Sequence, residues 1–264
     1  MNSLDMPVVE LPAGSCQFVA TPIGNLGDVT LRGLAVLAAA DIVFAEDTRH
    51  TRRLLARYGI NVKLASFHDH NKTQQVPRIL QRLRAGERVA VVSDAGMPAI
   101  SDPGYTLIRA LQEAGLSWSV VPGPSSVLTA LVLSGFPTDR FRFMGYVPRK
   151  PGARDKFFTA ALQAPDSVVV FESCHRIQAT LSHIAALAPG RLVAVVREMT
   201  KIHEETLRGT ADELLAVMTG PRLKGELVLV LSGRSPDEGD EIPSAARGGG
   251  ATRRDDRQGR RGRR

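Results

Sequence analysis

The sequence predicts an α/β protein: a mostly parallel sheet with helices on both faces, then a smaller C-terminal α/β unit. Three observations carry this. Short apolar runs alternate with helical patterns from residue 16 to about 134, the order that encodes a parallel sheet. Three of those runs end in turns dense in Gly, Pro, carboxylate and hydroxyl residues, at 21–28, 45–51 and 93–104. Open α/β sheets hold ligands there, outside the carboxyl ends of their strands. The texture then changes over 135–152, an aromatic, basic stretch punctuated by Pro and Gly, which places a domain boundary near residue 137.

Residues 16–20 read as the first strand, and Thr30 as the N-cap of a helix over 31–40. Residues 41–45 form the next strand, and a helix over 52–58 stops at Gly59. A short strand at 62–67 precedes the polar turn His68-Asp-His-Asn71, and a helix over 72–85 carries Val76, Ile79, Leu80 and Leu83 at helical spacing. A strand at 88–93, a helix over 105–114, a strand at 118–121 and an apolar helix to about 133 complete the first unit. The second unit reads as helices at 155–162, 175–187 and 211–218, with strands at 167–171, 192–197 and 226–232. The predicted organisation is an N-terminal tail over 1–15, domains over 16–136 and 137–233, and an Arg/Gly-rich tail over 234–264. That tail lacks apolar periodicity and reads as disordered.

Of the 264 residues, 43% are hydrophobic and only 5% aromatic, so the core is aliphatic. No apolar run reaches the roughly 18–20 residues of a membrane helix. The N-terminus has no basic start and no long apolar stretch, so no secretory signal is expected. Two distant cysteines, Cys16 and Cys174, suit a reduced, cytoplasmic protein. The formal charge is +7, but the stretch 247–264 holds eight Arg and two Asp and so carries +6 of it. The remainder is nearly neutral.

The turn at 24–27 is neither the G-x-G-x-x-G fingerprint nor a P-loop, and alone it reads as an ordinary strand-to-helix turn. Glu46-Asp47-Thr48-Arg49-His50 is more specific. One carboxylate would suffice to cap a helix, yet two carboxylates, a hydroxyl, an Arg and a His cluster at one strand end. General base, ribose or phosphate binding and cation contact are its open roles. Residues 93–104 hold two Pro, two Gly and two Asp, a tightly fixed backbone suited to the polar ends of a nucleoside-like ligand. Pro122-Gly-Pro-Ser-Ser126 offers amides at a helix start, or is simply a helix start. His68 and His70 lack a matching ligand set, and no metal is assigned. Lys201 and His203 lie in a polar loop that suits either nucleic acid or solvent.

The ordered motifs TPIGNLGD (21–28), AEDTRHT (45–51), HDHN (68–71), SDAGMPAISDPG (93–104), PGPSS (122–126), FESCHR (171–176), REMTK (197–201) and KGELVLVL (224–231) resemble the small-subunit ribosomal RNA cytidine 2′-O-methyltransferases of the tetrapyrrole methylase superfamily. The resemblance spans about 16–233. It implies S-adenosyl-L-methionine as methyl donor, a two-domain fold with the donor in the cleft, and a homodimer. It also implies a target: the 2′-hydroxyl of cytidine 1402 of 16S rRNA in the 30S subunit. The residues it assigns to the donor are Pro22, Gly24, Asp94, Ala95, Gly96, Met97, Pro98, Ile100, Ser101, Pro122, Gly123, Pro124 and Ser125, with the strand after Gly225. Thr48, Arg49, His50, His68 and Lys201 fall on the substrate side, and Glu46 or Asp47 is the candidate base. Met97 replaces a small hydroxyl residue common in the family, and the Arg/Gly tail replaces a helical extension. A superfamily methyltransferase acting on a tetrapyrrole or other small molecule is the first rival reading. A non-enzymatic RNA-binding protein is the second.

Overall fold

The computed structural model describes residues 6–100 and 104–233. Ser101 and the tail at 234–264 lie outside the described residues.

The first sheet contains β1 (Cys16–Val19), β2 (Ile42–Ala45), β3 (Lys63–Ser66), β4 (Val89–Val92) and β5 (Trp118–Val121). Its order is β3-β2-β4-β1-β5, with every pairing parallel. Every residue of β1, β2 and β4 is buried, because helices cover both faces. The period of two divides the side chains. Val19, Val43, Ala45, Ala90 and Val92 pack beneath α1 (Leu31–Ala39) and α2 (Thr48–Arg57). Phe18, Phe44, Val89 and Val91 pack beneath α3 (Lys72–Arg84) and α4 (Gly104–Glu113). Each Val and Phe among them contributes about 1.5–3 kcal/mol on burial. The Thr30 hydroxyl accepts from Gly33 N at 3.0 Å and caps α1, as its position predicts.

The chain runs from β1 through α1 towards β2 on one side, and from β4 through α4 to β5 on the other. Connections leaving the neighbours β1 and β4 therefore diverge, which creates the crevice of an open α/β sheet. Across it Thr21 and Gly96 exchange backbone hydrogen bonds of 2.9 and 3.0 Å.

The second sheet contains β6 (Phe141–Tyr146), β7 (Ser167–Ser173), β8 (Leu192–Arg197), β9 (Glu205–Thr210) and β10 (Glu226–Leu231), ordered β6-β7-β10-β8-β9. It is mixed: β6 and β7 run parallel, and the other pairings are antiparallel. Phe158 of α6 (Pro151–Gln163), Leu181 and Ile184 of α7 (Ile177–Leu187) and Leu214 of α8 (Ala211–Val217) cover one face. The other face is covered by α5 (Ser126–Ser134), whose Val127, Ala130 and Leu131 pack on Val169, Ala194, Val196, Val228 and Val230. The helix encoded after the last strand of the first sheet thus belongs to the core of the second. Arg208 on β9 holds its far end, donating through Nε to Ser134 O at 2.7 Å and through a second nitrogen to Leu133 O.

Candidate active site

A cavity of about 520 Å³ opens at the crevice and is lined from both sheets, within the usual size of small-molecule sites. Two loops of the first sheet form one side. Thr21 Oγ1 donates to Ser93 O at 3.0 Å, which joins the loop after β1 to the loop after β4. Asp94, Ala95, Gly96, Met97 and Ile100 line the cavity, and so does Ile23. Pro22, Gly24, Pro98, Pro122, Gly123 and Pro124 are not among its lining residues; they shape the loops behind it. Gly24 shows how closely. A Cβ there would stand 2.7 Å from Thr200 Oγ1 and 2.8 Å from Met199 O, so only glycine lets the first-sheet loop abut the loop after β8.

Backbone strain gathers at the same place. Among the described residues, Ala99, Glu198 and Thr200 are the non-glycine residues with positive φ, at 71°, 49° and 65°. They flank Met97, Ile100 and Met199, which line the cavity. Such conformations cost of order 1–3 kcal/mol each and cluster at functional sites.

Ser125 caps α5, its hydroxyl accepting from Leu128 N at 3.4 Å. Ser125, Ser126 and Val127 all line the cavity, so the first turn of this helix, where backbone amides lack partners within the helix, borders it.

The two adjacent carboxylates separate. Glu46 lines the cavity; burial and the neighbouring charge of Asp94 raise its pKa above the ordinary value. Asp94 is fixed in turn, accepting from Asp47 N at 2.9 Å. Asp47 instead caps α2, accepting from Arg49 N at 2.8 Å, and pairs with the Arg49 guanidinium at 2.7 Å. Those hydrogen bonds hold its carboxyl far below the usual range. Thr48, Arg49 and His50 lie on the first turn of α2, outside the cavity lining. His68 is also outside it, but close enough for its charge to act on Glu46. Lys201 ties loops together: its Nζ meets Glu198 at 3.0 Å and Glu226 at 3.3 Å.

The second sheet supplies a wall that motif reading left without roles, except for the strand after Gly225. Tyr146, Phe171, Cys174, His175 and Met199 line it, with Glu226, Leu227 and Val228. Glu172 braces this wall from a buried position. It accepts from Ser173 N and from Thr180 Oγ1, each at 2.6 Å, and pairs with Arg176 at 2.5 Å. The signal was the FESCHR motif; its chemistry was hidden because a buried, satisfied carboxylate and a row of apolar residues look like core. No group of His, Cys, Asp and Glu among the described residues could hold a metal ion.

A profile of the tetrapyrrole (corrin/porphyrin) methylases matches residues 16–215, and the chain belongs to that family. The Thermus thermophilus uroporphyrin-III-C-methyltransferase structure shares the fold, with a TM-score of 0.62 at 22% identity over 83% of this chain and 94% of that one. Within the family, the chain is 47% identical over 220 residues to a Neisseria meningitidis protein named ribosomal RNA small subunit methyltransferase I, covering 83% of this chain and 76% of that one. A protein of the same name from Xylella fastidiosa is 42% identical over 237 residues, covering 89% and 87%.

Proposed function

We propose that this chain transfers the methyl group of S-adenosyl-L-methionine to the ribose 2′-hydroxyl of a cytidine, cytidine 1402, in 16S rRNA of the small ribosomal subunit. The observation that carries this reading is the identity, over most of both chains, to proteins named for that subunit's RNA.

The cavity suits the donor. The 94–100 loop, Ser125 and the α5 amides offer polar contacts, while Phe171, Met199 and Leu227 offer an apolar surface. A bound sulfonium supplies an activated methyl group, so the protein's task is alignment. Glu46 is a carboxylate in the cavity able to take the proton of the 2′-hydroxyl, and its raised pKa brings it nearer the working pH of a general base.

An RNA partner is supported by α2. Thr51, Leu54 and Leu55 are buried, which turns Arg49, His50, Arg52, Arg53 and Arg57 outward from a helix that begins beside Glu46. Phosphate-binding surfaces have this character. The eight Arg over 247–264 add attraction that is independent of RNA sequence. No helix among the described residues is long and apolar enough to cross a membrane, and the site of action is the cytoplasm, with ribosomes. Leu128 and Val132, one turn apart and exposed on α5, support a homodimer, which sedimentation would read directly.

The deciding assay is transfer from labelled S-adenosylmethionine to 30S subunits that lack the modification, with the product nucleoside identified by mass spectrometry. A 2′-O-methylcytidine is expected. Donor binding with no label on the RNA would move the reading to a small-molecule substrate, and no donor binding would favour an RNA-binding protein.

A further inference from the structure

Strand β6 pairs with β7 at Phe143 opposite Val169, and next at Tyr146 opposite Phe171. Three steps along β6 thus match two along β7, the mark of a bulge with one extra residue. Gly145 lies inside it at a φ of 71°, a conformation that favours glycine. The consequence is directional. Side chains alternate along a regular strand, so Phe143 and Tyr146 would point to opposite faces. The extra residue brings both to the face that carries Val169 and Phe171. Phe171 then meets Phe143 edge-on, centroids 4.9 Å apart, and Tyr146 edge-on at 5.1 Å.

The rings differ in exposure. Phe143 is packed against the core around Val169. Tyr146 is 62% exposed, yet it lines the cavity that Glu46 also lines. Burial cannot account for this, since an exposed ring gains little of the hydrophobic term, and the bulge interrupts the pairing of β6 with β7. Bulges recur beside active sites, where they re-aim a side chain.

We propose that Tyr146 is the platform on which the base of the target nucleotide stacks, unstacked from its RNA neighbours, while the 2′-hydroxyl of the same nucleotide meets Glu46. This rests on the ribose-methylation reading above and adds the residue that presents the nucleotide. Proteins that recognise single nucleotides of folded RNA hold the unstacked base on an aromatic ring. Phe171, itself backed by Phe143, packs against the platform, so the side chain gives up little freedom when a base lands on it.

The test is a steady-state comparison of wild type with Tyr146→Ala, Tyr146→Leu and Tyr146→Phe, using the full chain, unmodified 30S subunits and labelled donor. Binding of S-adenosylhomocysteine, followed by calorimetry, serves as the control. Ala and Leu are expected to raise KM for the subunits about 10- to 100-fold, the range of base–aromatic stacking losses. Phe should stay close to wild type, and all three should bind S-adenosylhomocysteine normally. An Ala variant with unchanged KM would overturn the proposal. So would a loss confined to S-adenosylhomocysteine binding, which would put the ring on the donor instead. A wild-type protein that leaves the subunits unlabelled would sink the parent reading as well, and the wild-type arm distinguishes that failure from the others.

Discussion

Glu46 and Asp47 are neighbours in the chain with opposite surroundings. Glu46 sits in the cavity, where burial and Asp94 favour its protonated form. Asp47 is held ionised by Arg49 and spends its oxygens on the α2 cap. Replacing Glu46 with Gln should therefore lower kcat by about 10²–10⁴-fold, with S-adenosylhomocysteine affinity unchanged in a binding titration. Asp47→Asn, which keeps a capping oxygen, should retain most of the turnover. The pH profile carries the sign. The base works deprotonated, so kcat should fall as pH drops through the Glu46 pKa. With that pKa raised, the acid limb of log kcat should lie above the 4.5 of an ordinary Glu, and Glu46→Gln should abolish it.

Strands were legible where helices bury them on both faces, as in β1, β2 and β4, whose apolar runs leave no alternative. Two edge strands were not. Strand β6 mixes exposed aromatic and basic residues, and β9 reads Glu-Thr-Leu-Arg-Gly-Thr; pairing with β7 and β8, not side-chain pattern, makes them strands. Helix α2 begins at Thr48, earlier than the sequence expectation of 52, because Asp47 caps it. Helix α6 begins at Pro151, where its fixed φ suits a first turn. At this scale Glu172 is the joint between β7 and α7. Glu172→Ala would strand Arg176 and Thr180 at a cost of about 3 kcal/mol, the low end for a buried pair because Arg176 keeps some solvent. A fall in Tm of roughly 6–12 °C is expected by calorimetry.

For the whole molecule, the site was legible in part because its first-sheet loops are rich in residues with special backbones or charges. The second-sheet wall is assembled from residues distant in sequence, and apolar positions such as Leu227 and Val228 reveal a ligand-facing role only once folded. Removing residues 234–264 should weaken RNA binding and flatten its salt dependence. Each phosphate that the tail no longer neutralises takes about 0.7–0.9 from the log–log slope, and filter binding across a salt series would measure it; an unchanged slope would mean the Arg-rich stretch is idle.

The close approach at Gly24 bears on how such a chain can be recombined. No methyl group fits between the first-sheet loop and residues 199–200, so the two surfaces form one matched joint. A hybrid with its first sheet from one relative and its second from another would inherit two halves of different locks. The exchange should succeed when the 21–28 and 197–201 segments travel together from the same parent. Splitting them should yield a protein that folds around each sheet but loses the crevice between them.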